Sequence, residues 1–175
     1  NGWGVNFFPD FYQWISALGD ISNKTDYDWY IKVHPDTISG NNEVLNELVS
    51  KYPKLTILGQ KTSHLQIVND GIDFVLTVYG TVAFEYAAMG ITVINASLFN
   101  PHISYDFNIN PSSKKEYINL LLNLSNKVKI EINENDVYEF YYMKNRYFNT
   151  DDWLILELDK LRLGDKLTSP KIYTE

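Results

Sequence analysis

The stretch VYGTVAFE contains polar residues where an apolar run ends and a helix begins. Thr77, Tyr79, Gly80 and Thr81 form the junction, and Glu85 follows within the helix. A glycine at such a junction lets the backbone approach a ligand, and amides at a helix start favour a phosphate. Glu85 lies one turn beyond Thr81 on the same face, where its carboxylate could accept hydrogen bonds from a ribose. The simpler alternative is a Thr81 that caps the helix beside a solvated Glu85.

The stretch YIKVHPD provides a second junction of this kind. His34 ends a predicted strand, and Pro35 biases it toward an extended backbone. Lys32 lies two residues earlier and therefore shares a sheet face with His34. The imidazole could donate to a phosphate oxygen or to a base edge. The alternative is a His-Pro turn that only terminates the strand.

The stretch QKTSHLQ forms the third junction. Thr62, Ser63 and His64 follow a short strand and open a helix, so they could contact the base or the distal phosphate. A helix cap with a surface histidine is the favoured alternative, and Thr62 is the candidate cap. His102, in the loop NPHISYD, is interpreted as structural or acceptor-facing rather than catalytic.

Alternating strand-like and helix-like segments must position these junctions. Apolar runs predict strands, and helical spacing of apolar residues predicts the helices between them. The predicted strands are 28–34, 54–59, 73–78 and 91–96, and the predicted helices are 9–20, 41–52, 62–71, 80–90, 112–126, 133–149 and 151–163. Gly19 is expected near the end of the first helix, and Gly90 is expected in the left-handed conformation at the end of the helix 80–90.

This alternation predicts right-handed βαβ units and a Rossmann-like, three-layer α/β fold with a doubly wound parallel sheet. A single domain over 1–163 and a C-terminal tail over 164–175 account for the 175 residues. Ligands of such sheets bind beyond the carboxyl ends of the strands. The three junctions are all predicted at that edge.

Composition excludes several classes of function. With 15 Lys and Arg against 22 Asp and Glu, the formal charge is -7, which argues against nucleic-acid binding. The chain has no Cys, so it has no disulfide and no thiolate metal site. No spacing of His, Asp and Glu resembles a metal-ligand motif, so no metal is predicted. No Walker loop or G-x-G-x-x-G fingerprint is present either, and no cofactor is predicted. No apolar run is long enough to predict a transmembrane helix.

Taken together, the order WYIKVHPD, LTILG and DFVLTVYGTVAFEYAAMGITVI resembles a known family. It is similar to the C-terminal nucleotide-sugar domain of GT-B glycosyltransferases of bacterial surface and capsule polysaccharide synthesis, of the Kdo-transferase-like group. That family has a strand ending in Lys-x-His-Pro, then a Ser/Thr/Gly-rich turn before a helix with Glu, and then Gly-x-Pro-Val-Ile. Gly90, Val93 and Ile94 match the last element, whereas Thr92 replaces the family's proline.

The resemblance, which covers roughly 28–100, implies a donor-binding half of a two-domain enzyme. The donor would be a CMP- or UDP-linked sugar, with its phosphates held at the His-Pro and Gly-Thr junctions and its ribose at Glu85. The chain begins at Asn1 rather than Met, and we expect the glycan acceptor and the general base to belong to a preceding N-terminal domain. The isolated domain is therefore expected to bind nucleotide without turnover and to contain no catalytic residue. A cytoplasmic location is expected, with peripheral association of the full-length enzyme at the inner face of the membrane.

Three alternatives remain open at this point. A glycerophosphotransferase of the teichoic-acid type has a similar donor site, but its turn is usually richer in Asp, Tyr and Ser. A nucleotide-sugar epimerase-like domain would need its own carboxylates across the cleft. A noncatalytic scaffold could use the Tyr-rich segment YEFYYMKNRYF as a protein contact surface, although packing of that helix within the protein is the simpler expectation.

Overall fold

A computed structural model of the chain describes residues 6–34, 40–124 and 128–145. The chain divides into two compact units, 1–137 and 138–175. Helices and short strands alternate through most of the described part, in the order α1 (Phe11–Ser22), β1 (Trp29–Ile31), α2 (Asn41–Lys51), β2 (Leu55–Ile57), α3 (His64–Asn69), β3 (Phe74–Thr77), α4 (Val82–Ala87), β4 (Thr92–Asn95), β5 (Asn108–Ile109), α5 (Lys114–Leu122) and α6 (Glu134–Asn145). The protein is therefore an α/β protein, as the sequence predicts.

The strands form two separate parallel sheets. One contains β1 and β2, with Tyr30 paired to Thr56. The other has the order β3-β4-β5, and its register places Thr77 beside Asn95. The α/β class and the parallel pairing agree with the prediction, whereas the five strands are not hydrogen-bonded into one sheet.

Alternation along β4 divides the apolar residues between two clusters. Ile94 packs in a cluster that includes Tyr117 and Leu121 of α5, whereas Val93 packs with Ala83 and Tyr86 of α4. Successive strand residues point to opposite faces of a sheet, so both faces of β4 are covered. All four residues of β4 are buried, as expected of a central parallel strand.

Gly19 lies in the last turn of α1, near its end as expected, but its role is close packing and not termination of the helix. A Cβ atom at this position would lie 2.3 Å from Cγ of Tyr52, a side chain that is 4% exposed. The helix continues to Ser22 because Asn23 donates its N–H to the carbonyl of Gly19. The glycine therefore serves close packing of a ring against α1, a role that helix-end patterns do not reveal.

The residue that follows α4 and one short strand also bear on the sequence predictions. Gly90 has φ of 78°, so its left-handed conformation is confirmed. β5 was missed because it has two residues and follows a segment of turns instead of a helix.

The second unit begins at Tyr138, within α6. Tyr138, Tyr141 and Tyr142 are exposed, and the ammonium of Lys144 lies 5.8 Å from the centroid of the Phe140 ring. The predicted helix 151–163, the tail and the domain boundary between 163 and 164 lie outside the described residues. Within the described residues, no helix has the length and apolar character needed to cross a membrane.

Candidate functional site

The turn between β3 and α4 is closed by its own hydrogen bond. The Thr77 hydroxyl is buried and accepts the N–H of Gly80 at 3.2 Å, while the Thr77 carbonyl accepts the N–H of Ala96 at 2.7 Å. The Gly80 amide is therefore not available to a phosphate in this conformation. Tyr79, which directly precedes Gly80, is half-buried.

Gly80 does not owe its identity to an unusual backbone conformation. The glycines with positive φ in the described residues are Gly40, Gly71 and Gly90, and Gly80 is not among them. A Cβ at Gly80 would lie 3.1 Å from the Thr77 hydroxyl oxygen, which is a tight but nearly tolerable contact. The fold itself therefore does not require glycine at position 80. Close approach of a ligand to the backbone is a reason for glycine that would remain.

Thr81 precedes α4 but does not cap it, so the capping expectation was wrong. Its backbone has φ of -61° and ψ of -23°, which is helical, and its side chain makes no capping hydrogen bond. A capping side chain reaches the helix amides from an extended backbone, which Thr81 does not adopt. Thr81 is exposed, and its hydroxyl is left for another partner.

Glu85 is half-buried in the first turn of α4, one residue before Tyr86. Burial raises the pKa of the Tyr86 hydroxyl, and the charge of Glu85 raises it further. Both effects disfavour the phenolate, because one removes solvent and the other repels its negative charge. The negative charge of Glu85 therefore influences the buried Tyr86 hydroxyl, and it would also influence a ligand that approaches α4.

The third predicted junction meets α4 through His64. The Nδ1 atom of His64 lies 2.8 Å from the Tyr86 hydroxyl, and the two rings meet edge to face with centroids 5.0 Å apart. Ser63, not Thr62, caps α3 and accepts the N–H of Gln66, which corrects the predicted cap. The fold thus brings His64 to the helix that contains Glu85.

The His-Pro junction lies on the other sheet. Lys32 is half-buried and His34 is exposed beyond the end of β1, whereas Pro35 lies outside the described residues. Because β1 and β3 belong to different sheets, the structure does not place His34 and Gly80 on one hydrogen-bonded sheet edge.

A buried asparagine network at the carboxyl end of β4 was not predicted. The Oδ1 atom of Asn110 accepts from the amides of Asn95 at 2.8 Å and Asn100 at 3.0 Å. The Nε2 atom of His102 lies 3.4 Å from Oδ1 of Asn95, whose amide orientation is fixed by its bond to Asn110. His102 is 2% exposed, in agreement with its structural interpretation. The only sequence signal of the network is the repeated Asn in INASLFNPHISYDFNIN. This pattern resembles ordinary loop composition, so the network could not be recognised from it.

A cavity of about 240 Å³ opens at the carboxyl ends of β3 and β4, beside the turn that contains Gly80. From the sheet, Val78, Tyr79 and Ala96 line it. Aromatic and polar residues of the N-terminal segment and α1 complete its wall, among them Asn6, Asp10, Phe11 and Trp14. The sequence did not predict this part of the wall, because contact between the first residues and the ends of β3 and β4 is a tertiary effect.

Among the described residues, no group of three His, Asp or Glu side chains is arranged to hold a metal ion. Comparisons with protein-family models, with curated proteins and with solved structures found no match to this chain.

Proposed function

We propose that the chain is the donor-nucleotide-binding domain of a glycosyltransferase that makes bacterial surface polysaccharide. In this proposal the fold is a Rossmann-like, doubly wound arrangement in which helices cover both faces of parallel strands. The division of Val93 and Ile94 between two apolar clusters supports that arrangement around β4. The resemblance of the segments around His34 and Gly80 supplies the glycosyltransferase class.

The cavity beside Tyr79 is the observation that carries the proposal. It lies at the carboxyl ends of two adjacent parallel strands, where ligands of α/β sheets bind. Gly80, exposed Thr81 and half-buried Glu85 follow Tyr79 in the adjoining turn and helix, although they do not line the cavity itself. The wall combines aromatic rings with one carboxylate and one amide, which suits a ligand that combines a ring with hydroxyl groups.

The chemistry follows from the charge that develops on the leaving nucleotide. A phosphate group that departs from a sugar gains negative charge, which nearby donors and cations stabilise. Thr81, Lys32 and His34 are the proposed donors, and Glu85 is the proposed ribose acceptor. Because the Gly80 amide is already paired with Thr77, the proposal assigns this amide no phosphate contact. The general base and the glycan acceptor are assigned to another domain.

The direct test is a thermal-unfolding series of the chain with CMP, CDP, UMP, UDP, GDP and inorganic phosphate. A ligand at about 100 times its dissociation constant stabilises the folded state by about 2.7 kcal/mol. Stabilisation by cytidine or uridine nucleotides is the expected result and identifies the donor class. Equal stabilisation by phosphate alone would point to a nonspecific anion site, and no stabilisation would count against nucleotide binding by this domain.

Glu85→Gln tests the ribose contact separately from the phosphate contact. This variant should weaken nucleoside monophosphates more than inorganic phosphate, because only the former contain the ribose. Glu47→Gln on α2 makes the same change of charge at an exposed position and is the matched control. A Glu85→Gln variant that binds nucleotides as tightly as the control would remove Glu85 from the site.

A noncatalytic scaffold is the second candidate because several tyrosines of α6 are exposed. Tyr138 and Tyr142 are exposed by 63% and 55%, and such rings are common at protein interfaces. The scaffold predicts no nucleotide binding and a loss of partner binding in Tyr138→Ala. The nucleotide series therefore separates the two candidates.

A further inference from the structure

We infer that the cavity beside Tyr79 binds a single neutral ring that bears hydroxyl groups, such as one sugar unit, and not a phosphate. The cavity is lined by aromatic side chains, one carboxylate and one amide, and none of the described residues in its wall is Lys, Arg or His. The ammonium of Lys114 lies 4.3 Å from the centroid of the Phe8 ring but lines the neighbouring groove instead of this cavity. The wall itself therefore offers no cation to an anion, and its carboxylate repels one.

The aromatic part of the wall presents ring surface rather than polar atoms. The indole N–H of Trp14 donates to the Tyr117 hydroxyl at 3.0 Å, so the polar atom of Trp14 is already occupied. Phe11 meets Trp14 edge to face with centroids 5.8 Å apart, and 55% of Phe11 is exposed. Such surfaces pack against the apolar C–H face of a ring while its hydroxyl groups remain free for polar contacts.

The polar part of the wall contains an acceptor without a partner. The Oδ1 atom of Asn6 is buried, and no described residue donates a hydrogen bond to it. A buried acceptor is rarely left unpaired in a folded protein, because its desolvation is costly. Because this atom is shielded from solvent in the free protein, a ligand hydroxyl group would pair with it after rotation of the Asn6 side chain toward the cavity.

The carboxylate of Asp10 is suited to a hydroxyl group more than to a buried cation. Its two oxygens accept from the backbone N–H and the side-chain amide of Gln13, at 2.7 and 3.2 Å, and it is exposed at the start of α1. Each oxygen retains a lone pair for a further donor. A buried cation would require a desolvated charge partner, which this exposed carboxylate does not provide.

The volume suits a ligand of about one ring. Pockets for drug-sized ligands measure roughly 300–1,000 Å³, and about 240 Å³ is below that range. If the chain is a donor-binding domain, the ring is the sugar of the donor, and this assignment alone rests on the proposed function. The preference for a neutral hydroxylated ring rests on the wall of the cavity.

The test is a titration of the chain with methyl glycosides of common hexoses and N-acetylhexosamines, followed by ligand-observed NMR. Tetramethylammonium and inorganic phosphate serve as the cationic and anionic probes. Phe11→Ala should weaken glycoside binding by about tenfold or more, as expected for an aromatic contact worth more than 1.4 kcal/mol. Tyr12→Ala is the matched control, because Tyr12 is the adjacent exposed aromatic residue of α1 and lines a different groove.

Asn6→Ala supplies a second, independent readout. The variant should lose glycoside affinity without losing thermal stability, because the Oδ1 atom has no partner among the described residues of the free protein and removing it relieves a desolvation cost. A marked loss of stability in Asn6→Ala would show that this oxygen is already paired and would overturn its assignment to the ligand.

The outcomes separate this inference from the proposed function. Glycoside binding that depends on Phe11 and not on Tyr12 supports the inference, whether or not nucleotides bind. No glycoside binding, or stronger binding of tetramethylammonium or phosphate at the same residues, overturns it. Nucleotide binding without glycoside binding would leave the proposed function standing and reject the sugar cavity.

Discussion

Gly80→Ala should separate ligand binding from stability. The change adds one methyl group, and the backbone of Gly80 does not require positive φ. Replacing glycine at a compatible position stabilises a protein by about 0.4–1 kcal/mol, because the unfolded chain loses freedom. The contact of 3.1 Å with the Thr77 hydroxyl opposes this gain. We therefore expect the free energy of unfolding to change by less than about 1 kcal/mol.

Nucleotide binding should change more than stability does. If the ligand approaches the backbone at this turn, the added methyl group occupies that space, and we expect affinity to fall at least tenfold. At a concentration of about 100 times the original dissociation constant, the stabilisation would then drop from about 2.7 to about 1.4 kcal/mol. Thermal unfolding with and without the stabilising nucleotide measures both quantities on one sample.

Gly71→Ala is the opposite control. Gly71 has φ of 92° with open space around its Cα atom, so the added methyl group meets strain rather than a clash. A left-handed backbone costs a residue with a side chain about 1–2 kcal/mol, so this variant should be less stable and bind normally.

Full nucleotide affinity in Gly80→Ala would refute the reasoning that glycine is needed there for ligand approach.

Three further changes test the interior. Gly19→Ala should destabilise the protein by about 1–2 kcal/mol in urea unfolding, because the clash with the buried Tyr52 ring outweighs the roughly 1 kcal/mol gain in helix propensity; a more stable variant would show that the ring can move. Tyr117→Phe should cost about 1–3 kcal/mol near neutral pH by leaving the indole N–H of Trp14 without its acceptor. Burial raises the pKa of Tyr117 above its unfolded value, so its contribution to stability is present below about pH 10 and is lost as the pH rises further. The Phe variant should therefore lose stability less steeply above that pH, and equal slopes would contradict the assignment. Asn95→Ala should cost about 1–3 kcal/mol in the same unfolding assay, because the half-buried Asn110 and the buried His102 lose their hydrogen bonds to it; a neutral effect would mean that water replaces the amide.

Local sequence patterns predicted the order of the helices and strands, because the burial of one or both faces of each element determines where its apolar residues occur. The apolar run at β3 and the spacing of apolar residues in α2 are consequences of which faces are covered. Gly90 was interpreted correctly because a left-handed residue after a helix is a local requirement. The polar turn at Tyr79 and Gly80 was placed correctly beyond the end of β3, and its ligand remains a prediction.

The remaining features depend on contacts between distant parts of the chain. The packing role of Gly19 was not predicted, because nothing near it in sequence reveals the contact with the ring of Tyr52. The cavity wall joins Phe11 to Tyr79, and 67 intervening residues give no local signal of that contact. Ser63 rather than Thr62 caps α3, because the choice between adjacent hydroxyl residues depends on backbone angles that their composition does not determine.

The contrast between the two sheets has a consequence for amide hydrogen exchange. β4 lies between β3 and β5 with every residue buried, so its amides should exchange only when the protein unfolds extensively. Within the described ranges β1 pairs only with β2, and it exposes Tyr30, so its amides should exchange through smaller local openings. Lys32 and His34 follow this less protected strand. A ligand that engages them would therefore slow exchange in β1 far more than in β4, and the change in protection would locate the contact without any substitution.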